Sequence, residues 1–320
     1  MNDNKRKTAS TFILILTSFI WGAGFISQSI GADFVGPFTF LALRSWIAAS
    51  ALIPVVWILV VRKSPLGLKG LLNRNNVKGG LLCGLFLFLA SAVQQMGIPY
   101  TTTAKAGFLT AMYVVMVPVI CLVANWVTGL WSTNPGSFGT ENSGWRVWIG
   151  VMLTVIGLFL LCLKGRTRFE KGDLLIILCA LLYAFQIMAI NRYVKTVEPV
   201  LLAWMEFFWT AMFATVFMLI FEDSSISGLT SAAPSIIFAG FFSSACGYTL
   251  QIVGQKGLHP TIASIIMSLE SVFSAILGWI ILGQRLSFRE ICGCALIFAA
   301  IIVSQTGKQA EMTNETGTEK

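Results

Sequence analysis

The sequence predicts an all-α integral membrane protein with ten transmembrane helices, arranged as two inverted five-helix repeats. Three observations predict it. Of the 320 residues, 56% are hydrophobic and only 11% charged, whereas soluble domains carry about 25% charged residues. Apolar stretches close to the ~20 residues that a bilayer crossing needs recur along the whole chain. The two halves of the chain also match each other at nearly constant offsets. Such a composition excludes a soluble enzyme, a disulfide-stapled secreted domain and a disordered scaffold. The formal net charge of +8 comes from Lys and Arg clustered at the ends of apolar runs. That is a topology signal, not the one-sided basic face of a nucleic-acid binder.

In chain order, the stretch 11–30 follows Lys5, Arg6 and Lys7 and carries Ser18, Trp21, Phe25 and Gln28. Their i, i+3, i+7, i+10 spacing puts an aromatic and amide stripe on one helical side. Stretch 36–61 opens on Pro37, a residue suited to the first turn of a helix, and contains Arg44. Stretch 78–98 combines Gly79, Gly80 and Gly84, which allow close helix approach, with Ser91 and Gln94 on one face. Lys105 lies near the start of 103–128, and 145–163 follows the Ser/Gly/Asn-rich insert 131–144. In the second half, 172–193 presents Tyr183, Gln186 and Ile190, and 199–221 opens on Pro199 and contains Glu206. Stretch 232–254 presents Ser244, Tyr248 and Gln251 beside Gly240 and Gly247. Stretch 260–282 follows His259, a loop or cap residue, and contains Glu270; 288–306 closes the set. Trp57, Trp126, Trp131, Trp145 and Trp279 fall near stretch ends, where tryptophan anchors the interface.

With the N-terminus inside, inner segments carry fourteen Lys and Arg and outer segments six. The bias predicts both termini cytoplasmic in a cell membrane, although 164–171 runs against it. The resulting organisation is a cytoplasmic segment 1–10, a first repeat 11–163, a second repeat 172–306 and a cytoplasmic tail 307–320. All seven cysteines lie in apolar stretches without a CxxC pair, and there is one histidine, so neither a disulfide nor a metal site is expected.

The duplication is read from matched residues. Gln94/Gln251, Gly97/Gly254 and Ala106/Ala263 differ by 157, Trp21/Tyr183 and Pro37/Pro199 by 162, and Gly150/Gly293 by 143. A repeat with an odd number of crossings inserts upside down relative to its copy, and such repeats enclose a midplane site that opens alternately to each side.

Several motifs resemble one family. Trp21-Gly22-Ala23-Gly24-Phe25, Pro37 and Arg44 are similar to the opening of an EamA domain of the drug/metabolite transporter superfamily. The run from Tyr100 to Leu109 resembles its fourth-span pattern, and Ala263 to Glu270 with Leu282 to Ser287 resembles its ninth span and closing turn. The likeness spans residues 11–306. Two departures stand out: Gln284 occupies a position where the family commonly has Glu, and the first half has the 131–144 insert in place of that turn. The resemblance implies a permease for small metabolites, often exported amino acids or similar compounds.

Ionisable groups in the membrane cost about 2.5–3.5 kcal/mol each on insertion scales and so mark function or pairing. Four lie inside the stretches: Arg44, Lys105, Glu206 and Glu270. Arg44 and Glu206 are repeat-equivalent, which suits either a structural ion pair or anchors, or a gate made and broken in the cycle. Lys105 contacts an anionic group of a substrate, snorkels to the interface or forms a structural pair with Glu270. Glu270, equivalent to Tyr113, either carries a coupling proton or bonds a neighbouring helix. The polar stripes form either interhelical hydrogen-bonding seams or the wall of a central cavity; their recurrence in both halves favours the cavity, so Trp21, Gln28, Gln94, Tyr183, Gln186, Gln251 and Tyr248 are expected, with Lys105, to bind substrate, and Glu270, Arg44 and Glu206 to couple or gate.

The expected activity is secondary active transport of small metabolites, with export favoured; the alternative is a non-transporting receptor or assembly partner. No catalytic residues, cofactor or ATP motif of the form GxxxxGK[ST] occur in the sequence. HExxH and GxSxG are also absent, so the chain is not expected to be an enzyme. Expected partners are the lipid bilayer and a small-molecule substrate, without nucleic acid, and a homodimer is compatible with the sequence.

Overall fold

The computed structural model describes the backbone of residues 3–62, 71–100, 103–131, 145–162, 171–223, 225–282 and 287–315. Side chains are described for these residues except 3–4, 103–105, 125–131, 278, 281–282 and 305–315. No strand occurs among them. The helices are α1 (Asp3–Ala32), α2 (Pro37–Val56), α3 (Arg74–Gly97), α4 (Thr103–Ala111), α5 (Tyr113–Trp131), α6 (Trp145–Cys162) and α7 (Lys171–Tyr193). They continue as α8 (Pro199–Phe221), α9 (Ile226–Phe238), α10 (Thr249–Gln255), α11 (Pro260–Met267), α12 (Leu269–Leu282) and α13 (Phe288–Glu315). Two π-helical segments extend this set: Trp57–Val61 continues α2, and Ala239–Tyr248 joins α9 to α10 into one rod.

Among the described residues, nine helical segments are long and apolar enough to cross a membrane. The tenth expected span corresponds to α13, whose side chains are described only through Ser304, and it lies outside that count. Large apolar side chains such as Phe12, Met152, Leu219, Ile220 and Ile302 face outward, while Gln94, Gln186, Gln251 and Glu206 are buried inside. That arrangement suits lipid, not water, as the surrounding solvent. Leu14, Leu87, Ile187, Ile252 and Ile265 sit at the centre of the apolar core. All seven cysteines are free thiols.

Several boundaries differ from the sequence expectation: α1 begins at Asp3 and not at residue 11, and α13 runs on to Glu315 past residue 306. The stretches 103–128 and 260–282 are each two helices, interrupted at Met112 and Ser268. The eighth span starts at Ile226 and not at residue 232, because the polar residues ahead of it are helix-compatible. Ser225 caps it by accepting from the Gly228 amide at 3.1 Å, and Thr230 Oγ1 donates back to the Ser227 carbonyl at 2.9 Å. His259 likewise caps α11, its Nδ1 accepting from the Thr261 amide at 3.4 Å. The insert 131–144 falls outside the described residues from 132 onward, as does the loop 164–171 up to residue 170.

Helix pairing recurs between the halves. α3 packs on α7 and α8; correspondingly, α1 packs on α10 and α2 on the π-helical segment, while α6 lies along α13. Glycines show the recurrence atom by atom. A Cβ on Gly84 would lie 2.7 Å from both the Glu206 carbonyl oxygen and Trp209 Cβ; on Gly240 it would lie 2.9 Å from the Arg44 carbonyl oxygen and 2.7 Å from Ile47 Cβ. On Gly97 it would lie 2.8 Å from Ile176 Cδ1, and on Gly254 2.7 Å from Leu14 Cδ2. On Gly150 it would lie 3.1 Å from the Ala300 carbonyl, and on Gly293 2.6 Å from that of Gly157. Glu206/Arg44 and Ile176/Leu14 are each 162 apart, and Gly293/Gly150 and Ala300/Gly157 are each 143 apart. Gly240 follows Gly84 by 156 and Gly254 follows Gly97 by 157. The π-helical segment between them therefore absorbs one extra residue, as i→i+5 turns do.

Helix ends meet in two groups. Arg6 Nη2 donates to the Lys256 carbonyl at 3.1 Å, and Asn75 Nδ2 to Thr196 Oγ1 at 2.9 Å. In the other group, the Glu222 carboxylate accepts from the amides of Phe38 (2.8 Å) and Thr39 (2.7 Å), capping α2. Arg289 Nη2 donates to the Phe159 carbonyl at 3.4 Å, and Gly172 lies against the Gly97 and Tyr100 carbonyls.

Candidate functional site

A cavity opens where α1, α2, α3, α7, the π-helical segment and the two interrupted spans converge. It encloses about 40 Å³, and a water needs roughly 15 Å³, so it is narrow in this conformation. The stripe on α1 reaches it through Trp21, Phe25 and Gln28, α2 supplies Arg44, and α3 supplies Gln94. Tyr183 and Gln186 enter from α7, Tyr248 and Gln251 from the eighth span, and Glu270 from the first turn of α12.

The helical period explains these positions, and one misreading. Ser243 lines the cavity beside Tyr248, in place of Ser244. In an α-helix the residue four before Tyr248 shares its face; in the π-helical segment the shared face shifts to the residue five before it. Ser244 Oγ is buried without a hydrogen-bond partner. The Ser243 carbonyl accepts from Trp21 Nε1 at 3.2 Å, and the Trp21 ring lies 4.7 Å from that of Tyr248. Ser18 does not line the cavity; it donates at 3.1 Å to the Ile266 carbonyl and acts as a seam between helices.

Tyr183 organises one polar cluster. Its hydroxyl shares hydrogen bonds with Ser91 Oγ (3.1 Å) and the Tyr248 hydroxyl (3.2 Å), and donates to Gln94 Oε1 at 3.3 Å. Gln94 Nε2 passes on to Thr110 Oγ1 at 3.2 Å. A second row runs through amides: Gln251 Nε2 donates to Gln186 Oε1 at 3.4 Å, and Gln186 Nε2 donates to Glu206 Oε1 at 2.8 Å. Glu206 is fully buried and is not a lining residue. Its Oε2 has no hydrogen-bond partner, and neither does Arg44 Nε.

The repeat-equivalent Arg44 and Glu206 form no ion pair with each other in this conformation: Glu206 is taken by Gln186, while the Arg44 guanidinium sits 5.9 Å over the Phe40 ring. Glu270 bonds its own repeat equivalent, Oε1 accepting from the Tyr113 hydroxyl at 3.2 Å. The structure thus brings Trp21, Gln28, Gln94, Tyr183, Gln186, Tyr248 and Gln251 together around one cavity, whereas Ser18, Ser91, Ile190 and Ser244 of the same stripes lie outside its lining. The Lys105 side chain lies outside the described residues. Thr110, Tyr113, Ile187 and Met267 also line the cavity, beyond the residues that the sequence pattern marks. The available signal for Tyr113 was its equivalence to Glu270. No group of three or more His, Cys, Asp or Glu side chains that would hold a metal occurs among the described residues.

Comparisons with known proteins agree with this architecture. Among solved structures, one crystal structure superposes with a TM-score of 0.71 at 17% identity, covering 93% of this chain and 97% of the other, and shows the same fold. An uncharacterized transporter of Archaeoglobus fulgidus is 28% identical over 290 residues, 91% of this chain and 83% of that protein. The uncharacterized transporter YwfM of Bacillus subtilis is 23% identical over 311 residues, 96% of each chain. The profile of the EamA-like transporter family matches residues 8–126 and 170–306. With that match running through both halves, this multi-pass membrane protein belongs to the EamA-like transporter family.

Proposed function

We propose that the chain is a secondary active exporter of small polar metabolites, amino acid-like in carrying both an anionic and a cationic group. In this reading residues 11–163 and 172–306 are inverted repeats, both termini are cytoplasmic, and the protein resides in the cell membrane. The observation that carries the reading is the cavity among the helices, in which the Arg44 guanidinium and the Glu270 carboxyl group stand among amide and aromatic side chains. A receptor without transport has no use for ionisable groups buried at that cost.

Support for the inverted repeats comes from the recurring glycine contacts and from the two groups of helix ends. Substrate contacts fall to Trp21, Gln28, Gln94, Tyr183, Gln186, Tyr248, Gln251 and Lys105. Arg44, Glu206 and Glu270 couple or gate. Ligand pockets typically measure about 300–1,000 Å³, well above the cavity seen here, so cargo enters only when the helices part. Transport then follows from rocking of one repeat against the other, driven by a gradient.

The test is uptake by vesicles containing the purified protein alone, across a panel of amino acids, organic acids and amines. Flux of one class is expected, with pH-driven accumulation lost and exchange retained in Glu270→Gln. Absence of flux for every class would sink the reading. Unchanged pH dependence in the variant would remove the proton from Glu270.

A further inference from the structure

Arg44 and Glu206 occupy matched backbone positions and unmatched side-chain positions. α2 at Arg44 lies against Gly240 and α8 at Glu206 against Gly84, with Ile47 and Trp209 completing the same contact one turn on. From these equivalent places Arg44 lines the cavity and Glu206 does not. Glu206 is instead tied to Gln186, which does line it. The counterpart of Gln186 in the first half, 162 residues earlier, is Gly24, which has no side chain to hold Arg44 back in the same way. Buried polar atoms without partners are rare and call for an explanation. Here one such atom lies on each member of the matched pair, Arg44 Nε and Glu206 Oε2.

In an inverted-repeat transporter one repeat rocks or gates against the other around a fixed site, and because the two repeats share one fold, the opposite-facing state corresponds to the two halves trading their conformations. We propose that Arg44 and Glu206 exchange places in that step. In the opposite-facing state Glu206 leaves Gln186 and lines the cavity, while Arg44 withdraws. The inference rests on the transporter reading and deepens it. Glu206 is a second binding residue, for a cationic group of the cargo, concealed in the present conformation. The cavity therefore offers its cargo a cationic anchor on one side of the membrane and an additional acidic one on the other.

The experiment uses Arg44→Cys and Glu206→Cys in vesicles, treated from each face with a small membrane-impermeant thiol reagent, with the labelled position read by peptide mass spectrometry. Gln94→Cys serves as the reference. Gln94 and its equivalent Gln251 both line the cavity, so this position faces it in either state. Gln94→Cys is expected to label from both faces, Arg44→Cys from one face and Glu206→Cys from the opposite one. Labelling of Glu206→Cys from neither face, or from the same face as Arg44→Cys, with Gln94→Cys still labelled from both, overturns the exchange and leaves alternating access intact. Labelling of Gln94→Cys from one face only overturns both.

Should Glu206→Cys fail to fold, the unaltered protein answers through an impermeant carbodiimide and an amine. Glu270 and its equivalent Tyr113 also both line the cavity, so Glu270 is expected to be modified from both faces and Glu206 from one. Modification of Glu270 alone overturns the proposal.

Discussion

The Tyr183 hydroxyl holds three partners from two other helical spans, Ser91, Gln94 and Tyr248, whereas the Tyr113 hydroxyl holds only Glu270. Interhelical hydrogen bonds in membranes average about 0.6 kcal/mol each. Tyr183→Phe is therefore expected to lower stability by roughly 2 kcal/mol and Tyr113→Phe by about 0.6 kcal/mol, measured as detergent-solubilised unfolding. Equal losses would show that the three contacts of the Tyr183 hydroxyl do not add. Legibility at this scale followed helical phase. Trp21, Gln28, Gln94, Tyr183 and Gln186 are readable because each sits on an uninterrupted stretch of regular period, and Gln251 through its match to Gln94. Thr110 is not, since the interruption at Met112 resets the phase between it and the rest of its span. Ser243 was mistaken for Ser244 for a related reason: a change from α to π winding leaves no mark in composition.

At the scale of elements, helix approach is set by which glycines face a neighbouring backbone. A side chain on Gly84 would drive into the Glu206 carbonyl of α8, while one on Gly107 would find Ser271 Oγ no nearer than 3.9 Å. Gly84→Leu is expected to cost about 1–3 kcal/mol by overpacking. Gly107→Ala is expected to be neutral or to stabilise by up to about 1 kcal/mol, through helix propensity. Comparing their thermal unfolding checks both, and a neutral Gly84→Leu would mean that α3 and α8 separate freely. Element existence was legible from hydropathy alone. The interruptions at Met112 and Ser268 were not: no proline or glycine stands at either position, and Pro118 lies inside the continuous helix α5. Nor did the sequence show that Glu222, at the end of α8, reaches across to cap the first turn of α2.

For the molecule as a whole, the offsets of 157, 162 and 143 could be read before any coordinates, and the contacts of Gly84 and Gly240 depart from them by one residue. What stayed hidden was which side chain of an equivalent pair turns inward, because that depends on the asymmetry of one conformation and not on the pattern. The seam between α6 and α13 carries a further consequence. Gly150 meets Ala300 as Gly293 meets Gly157, so each half contributes the same patch to the contact. That is the isologous relation found in two-fold homodimers. On the repeat reading proposed above, the molecule resembles at this seam a dimer whose two subunits are translated as one polypeptide. Residues 1–165 and 166–320, expressed from separate messages, should then associate and co-purify as a folded complex, and the same pair carrying Gly157→Leu should co-purify as a complex less stable by about 1–3 kcal/mol, read as a lower unfolding temperature.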